Sequence, residues 1–315
     1  MNRLLFFSGG LSSFAVAHHL KTKYPEDNIL LYFTDTLWED EDLYRFIQDV
    51  SDKLELPMLI HSEGIDPVEL MIKQRIIFNS RLGSCSAILK MKVASDYIKK
   101  GKIPPIEKWV NKQYLKDDNF LEDVVLYFGI SFDEIHRTKA IAKNWLPFKV
   151  EFPLTKQYFD YDELLKLYGI CKPRMYLKGF SHNNCKGRCV KAGKKHFRLL
   201  FNEDRDTFDE INHIEQTLQK YVGAYHANKT DESKKDILLQ NKEEMYKWHK
   251  SKYTYKPNLQ LVSETDMKPT ILKTMSLDDI RQQQESNNQF DLFEEMGGCG
   301  CFVDYDEDEY DYDNN

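Results

Sequence analysis

The chain has 315 residues, 41% of them hydrophobic and 13% aromatic, enough to bury the core of one large α/β domain or two smaller ones. No apolar run approaches the length of a membrane span. A single Arg ahead of a short apolar stretch makes no secretory leader, so a cytoplasmic protein without a membrane partner is expected. The formal net charge of −7 is local: residues 304–315 hold seven acids and no base, while the rest of the chain carries 44 of each sign. That tail is expected to be an acidic, disordered appendage.

Arg3-Leu4-Leu5-Phe6-Phe7 reads as a buried strand, Ser8-Gly9-Gly10 as a tight turn, and the apolar spacing from Ser12 onward as a helix. Either this is an ordinary small-residue turn of an α/β protein, or it is a phosphate cradle. In a cradle, glycines let the backbone approach an anion, and the helix N-terminus points N–H groups at it. Ser8, Ser12 and Ser13 add hydroxyls. Asn28–Phe33 is a second strand ending in Thr34-Asp35-Thr36, Glu41–Leu54 has helical spacing, and Met58–His61 is a third strand. Alternating strands and helices imply a parallel sheet whose ligands sit beyond the carboxyl ends of its strands. The Ser8–Ser13 turn, Asp35 and His61 all fall on that rim.

The next segment, Asn79 to Lys92, offers Arg81 and Lys90 as cations for a polyphosphate or an acidic substrate, with Cys85 beside them; the alternative is an ordinary surface helix. Val124–Ile130 is another buried strand. Asp133, Glu134, His136 and Arg137 follow it, either capping a helix or holding a ligand. Residues 148–154 form a short strand, and Asp160–Tyr168 a short helix with Gly169 past its end.

From residue 186 to 198 there are six bases and no acid, Lys191 among them. This segment is either a solvated loop or a positive field for phosphates, a nucleic-acid backbone or an acidic substrate. Of the six cysteines, Cys185-x3-Cys189 and Cys299-Gly300-Cys301 form two tight pairs, with His182 nearby. Four thiolates suit zinc or an iron–sulfur cluster; redox thiols and unrelated thiols are the alternatives. Residues 203–223 and 233–250 have helical spacing, and Ser276 with Asp279 resembles a helix start. The expected organisation is a nucleotide-binding domain over 1–200, a helical lobe over 201–303 closing on the cysteine clip, and the tail over 304–315.

Ser8-Gly9-Gly10-Leu11-Ser12-Ser13 resembles the PP-loop of the ATP-pyrophosphatase and adenine-nucleotide α-hydrolase-like superfamily. The ordered motifs add Phe33–Thr36, Arg81, Cys85 to Lys90, Gly129–Arg137, Gly179–Cys185, Cys189–Gly193 and the final Gly-Cys-Gly-Cys. Together they resemble the phosphoadenosine-phosphosulfate-reductase-like branch found in phages and mobile elements. The resemblance implies an α/β parallel-sheet PP-loop sandwich of the five-stranded type with a helical C-terminal lobe. It implies ATP and Mg²⁺ as cofactors, and cleavage of the α–β phosphate bond to adenylate an acceptor for sulfur or nitrogen transfer. By that resemblance Ser8, Gly9, Gly10, Leu11, Ser12, Ser13 and Asp35 bind the nucleotide. Asp35, Arg81, Lys90 and Arg137 serve catalysis, and Cys85, Asp133, Glu134, His136, Lys191 and His182 face the substrate. Cys185, Cys189, Cys299 and Cys301 hold zinc or a 4Fe-4S cluster. The acceptor is a small molecule or a nucleic acid, and the chain can form a homo-oligomer. Many members carry Asp at the Ser12 position, and the Glu-Cys-Gly-Leu-His segment of sulfonucleotide reductases is missing. Sulfonucleotide reduction and a catalytically silent binding module are the alternative functions.

Overall fold

In chain order the elements are β1 (Asn2–Phe6), α1 (Leu11–Lys23), β2 (Asn28–Thr34), α2 (Glu41–Leu54), β3 (Met58–Ser62), α3 (Pro67–Gln74), α4 (Val93–Lys100), β4 (Ile106–Val110), β5 (Val125–Phe128), α5 (Thr138–Asn144), β6 (Lys149–Glu151) and α6 (Tyr161–Tyr168). There follow α7 (Lys194–Glu203), α8 (Arg205–Asn228), α9 (Lys235–Lys250) and α10 (Leu277–Glu285). A computed structural model describes residues 1–260, 269–272 and 274–286. The terminal Cys299-Gly300-Cys301 pair and the acidic tail lie outside those residues. The described chain divides into two compact units, one of residues 1–64 and 86–186, the other of residues 65–85 and those from 187 onward. The expected boundary at 200 thus compares with one at 186–187, and the α3 segment leaves the first unit.

The first unit is built on a six-stranded sheet of order β4-β3-β2-β1-β5-β6, parallel except for β4, which runs antiparallel to β3. Strands buried on both faces need long apolar stretches, which is why β1, β2 and β5 carry the runs Leu4–Phe6, Ile29–Phe33 and Val125–Phe128. Leu5, Phe7, Leu31 and Phe33 pack on one face with Phe14, Val16, Phe46 and Leu165 from α1, α2 and α6. Leu4, Phe6, Tyr32 and Phe128 pack on the other with Ala94, Ile98, Ile141 and Trp145 from α4 and α5. The five-stranded expectation is corrected by the edge strand β4. Its sequence Ile-Glu-Lys-Trp-Val is exposed over the first three residues and carries neither a buried run nor a clear alternation.

Chain direction around β1 decides where a ligand can sit. β2 and β3 are laid down on one side of β1 and β5 and β6 on the other, so the order reverses at β1–β5. Such a switch point opens a crevice beyond the strand ends. Phe6 pairs with Phe128 in register, so the loops leaving β1 and β5 start side by side.

The second unit is helical. Asp66 caps α3, accepting from Val68 N and Glu69 N, and α3 packs against α8 and α9. The Tyr221 hydroxyl donates to Ile72 O at 3.1 Å, and His249 meets Asp66 at 2.7 Å. Glu215 of α8 is fully buried and accepts the N–H groups of Ile271 and Leu277. Burial pushes its pKa up to about 7 against those two bonds. The expected start of α10 is present as a capping box between Ser276 and Asp279.

His61, placed on the rim by its sequence position, points instead into the core of the first unit. Its Nδ1 meets the Tyr32 hydroxyl at 3.0 Å and its Nε2 meets Glu107 at 2.9 Å, tying β2, β3 and β4 together. Burial lowers the His61 pKa despite the opposing pull of Glu107. The unfolded chain therefore binds this proton more readily than the folded one. The stability from the neutral ring is complete above the unfolded value of about 6.5 and declines as pH falls through it. Denaturant midpoints should fall between about pH 7.5 and about pH 5.5, and His61→Gln should flatten that slope. An equally steep slope in the variant would contradict this assignment.

Candidate nucleotide-binding site

Gly9 sits in the left-handed region at φ 74, where a side chain is strained; a Cβ there would also lie 2.9 Å from Leu43 Cγ on α2. This glycine lets the chain turn sharply off β1 while α2 closes against the turn. Gly10 then caps α1 in an extended conformation, and no acid occupies the first turn of that helix. Ser13 Oγ donates to Gly10 O at 2.8 Å and lies 3.3 Å from Ser8 Oγ, so two of the three serines brace the turn internally. Ser12 Oγ meets the Tyr161 hydroxyl at 3.2 Å. At the helix tip, Leu11 N donates to the Tyr176 hydroxyl at 3.3 Å, so a phenol oxygen stands where an anion oxygen would be received.

The loop after β5 closes on this tip. A Cβ on Gly129 would lie 2.9 Å from Ser13 N and 3.0 Å from Ser12 C, backbone atoms that cannot swing aside. From another side, Asn183 Nδ2 donates to Gly9 O at 3.2 Å. Asn183 is fully buried, and its Oδ1 has no hydrogen-bond partner. A buried amide oxygen without a donor costs about 1–3 kcal/mol, and a ligand donor would relieve that cost.

Along the rim, Asp35 directly follows β2 and is buried. Its Oδ1 accepts from Leu37 N and from the Tyr44 hydroxyl, both at 2.8 Å. Burial raises its pKa, with the Glu39 charge adding to the rise, while the two hydrogen bonds and Lys90 oppose it. Glu39, also buried, accepts from Thr36 Oγ1 at 3.0 Å, from Lys90 Nζ at 3.3 Å and from Cys185 N. Lys90 reaches it from a π-helical turn, Ala87–Lys92, a rare widening frequent at functional sites. Asp40 caps α2 and takes the Arg174 guanidinium through two nitrogens, at 2.9 and 2.6 Å. That pair anchors the short helix Arg174–Leu177, and with it Tyr176, beside the loop.

The first unit thus gathers Ser8, Gly9, Gly10, Leu11, Ser12, Ser13, Asp35 and Lys90 at one end of its sheet. Leu11 contributes its N–H, its side chain being buried. Arg137 pairs with Glu134 within the turn after β5, Asp133 accepts from Ser131 Oγ, and His136 is exposed. His182 is half-buried next to Asn183. Arg81, Cys85, Cys189 and Lys191 belong to the second unit; Arg81 is exposed, and Lys191 is buried with its stem against Gly83. Among the described residues no three His, Cys, Asp or Glu side chains group as metal ligands; two of the four expected cysteines lie outside those residues. Glu39, Asp40, Gly129, Tyr161, Arg174, Tyr176 and Asn183 were given no role from the sequence. The acid run Glu39–Asp42 at the start of α2 was the available signal.

Residues 2–106, about a third of the chain, match the family model of the phosphoadenosine phosphosulfate reductase domain. The match spans β1, the Ser8–Ser13 loop, Asp35, Glu39, Lys90 and the start of β4. Over this stretch the chain is similar to a phosphoadenosine-phosphosulfate-reductase-like PP-loop domain. No curated protein matches the chain. Among the described residues no helix is long and apolar enough to cross a membrane.

Two measurements check this geometry. Gly129→Ala should destabilise the fold by about 1–3 kcal/mol, the usual cost of overpacking, and weaken ATP binding in titration calorimetry; unchanged affinity would show that the approach is unrelated to the cradle. Lys90→Met strands buried Glu39 and should cost about 3–5 kcal/mol. Exposed Arg81→Met should stay within about 0.5 kcal/mol of the parent in denaturant melts.

Proposed function

We propose that this chain is an ATP-dependent PP-loop enzyme that cleaves the α–β phosphate bond and adenylates an acceptor for sulfur or nitrogen transfer. The observation that carries the reading is the α1 tip at the β1–β5 switch point. It combines a left-handed Gly9, a close backbone approach at Gly129, a first turn without acids, and the unpartnered Asn183 Oδ1. The first three features fit an anionic phosphate chain received by main-chain N–H groups, and the Asn183 oxygen fits a hydroxyl or amino donor of the same nucleotide.

In this reading an acceptor oxygen attacks the α-phosphorus of ATP, the α–β bond breaks and pyrophosphate leaves. A sulfur or nitrogen nucleophile then displaces AMP. The N–H groups of Gly9 and Gly10 and the α1 dipole stabilise charge on the departing pyrophosphate. Asp35 is the candidate ligand for a Mg²⁺ ion, which would further neutralise that charge. Tyr176 yields its place at Leu11 N to a phosphate oxygen. Arg137 is the proposed second cation for the anion, and Asp133, Glu134, His136 and His182 flank the acceptor. A nucleic-acid acceptor is a natural class for the 186–198 segment, in which Lys195 is exposed and Lys186, Lys194 and Arg198 are half-buried.

The family match itself favours a second reading, in which a sulfonucleotide is reduced to sulfite while a dithiol becomes a disulfide. Incubation with α-labelled ATP and candidate acceptors separates the two. AMP and pyrophosphate support adenylation, ADP contradicts it, and sulfite released from a sulfonucleotide with thiol reductant supports the second reading.

A further inference from the structure

The second unit holds a group of cations that the nucleotide site does not use. α3 runs out at Arg75, itself left-handed at φ 57, against α8 and α9. The Arg75 guanidinium carbon lies 4.3 Å from the centroid of the Tyr225 ring on α8, and its charge opposes the burial that raises the Tyr221 pKa. Its Nε is buried without a hydrogen-bond partner. Lys73 comes from the last turn of α3 and Lys242 from the middle of α9. Burial lowers the Lys242 pKa, and the charges of Arg75 and Lys73 lower it further, so the three cations act on one another.

No ion pair links Lys73, Arg75 or Lys242 to a carboxylate among the described residues. Glu69, whose charge reaches Tyr246 on the same face, is 3.9 Å from His249. Lys229 adds more positive charge beside His226 at the end of α8. Cations complement the C-terminal end of a helix, which accounts for Lys73 and Arg75 on α3. That effect fades within one turn, so it does not account for Lys242. Holding a half-buried ammonium against two like charges is unfavourable unless an anion completes the group.

We propose that Lys73, Arg75 and Lys242 form a second oxyanion site, separate from the Ser8–Ser13 loop, that takes a phosphate group. A guanidinium stacked on a tyrosine ring presents its edge as a planar fork of donors matched to phosphate oxygens. The two lysines supply the charge that a doubly ionised or repeating phosphate requires, which a single carboxylate would leave in excess. The phosphate belongs either to a nucleic-acid backbone or to a free phosphate or phosphate ester.

The test uses the full chain, a fluorescent single-stranded oligonucleotide and inorganic phosphate, with Lys73→Gln, Lys242→Met and the double variant. An unchanged far-ultraviolet circular dichroism spectrum verifies that each variant is folded. For a backbone site, oligonucleotide affinity should fall several-fold per lysine, and its log–log salt slope should become shallower by about one for each lysine replaced. For a free-phosphate site, only the phosphate titration should lose affinity. In phosphate-free buffer Lys242→Met should melt no lower than the parent, because it relieves repulsion. A double variant that matches the parent with both probes overturns the site, and so does a lower melting point for Lys242→Met.

Discussion

Two main chains touch where β1 and β5 release their loops, and the rest of the candidate site depends on that approach. Gly129 lies so close to Ser12 and Ser13 that no side chain fits between them. Gly9 must turn left-handed to bring the α1 tip there while Leu43 and Ile47 of α2 close behind it. Sheet order supplies the crevice, and the absence of side chains supplies the approach. A helix tip left without an acid supplies the field.

Around this tip the rim separates its charges. Asp40 and Asp42 are committed to Arg174, Arg45 and the start of α2, so their role is to hold Tyr176 and its helix in place. Glu39 is saturated by Thr36, Lys90 and the Cys185 N–H, and it fixes a turn in which Cys185 and Lys186 are both left-handed. Left-handed residues other than glycine persist only where surroundings over-determine them, and here a buried carboxylate does so. Asp35 keeps a carboxyl whose charge is disfavoured by burial. A cation arriving with a nucleotide would reverse that preference.

Much of the frame was legible in the sequence because both of its periods are local. Glu41–Leu54 shows the 3.6-residue spacing and folds over those same residues. Gly169 stops α6 in the left-handed region, and Ser276 with Asp279 closes a capping box. β4 was not legible, since its half-exposed sequence follows from pairing with β3 and not from its own pattern. The π turn at Lys90 has no sequence period of its own. The 186–198 segment read as one positive field, yet Arg188 is paired with Glu210, Lys191 is buried, and Lys194 opens α7. Charge counts along a chain do not reveal which partners a fold will supply. The Lys73–Arg75–Lys242 group was invisible for the converse reason, Lys242 being far from the other two in the sequence and brought to them only by helix packing.

The central claim is that an adenine nucleotide's phosphates lie against the main-chain N–H groups of the Ser8–Ser13 bend. Amide-resolved NMR of the labelled chain during ATP titration reads this most directly. Saturable shifts of the Gly9, Gly10, Ser12 and Ser13 amides, with Asn183 moving in step, are the predicted result. Saturating ATP that leaves those amides in place, or moves only amides of the second unit, would contradict the account.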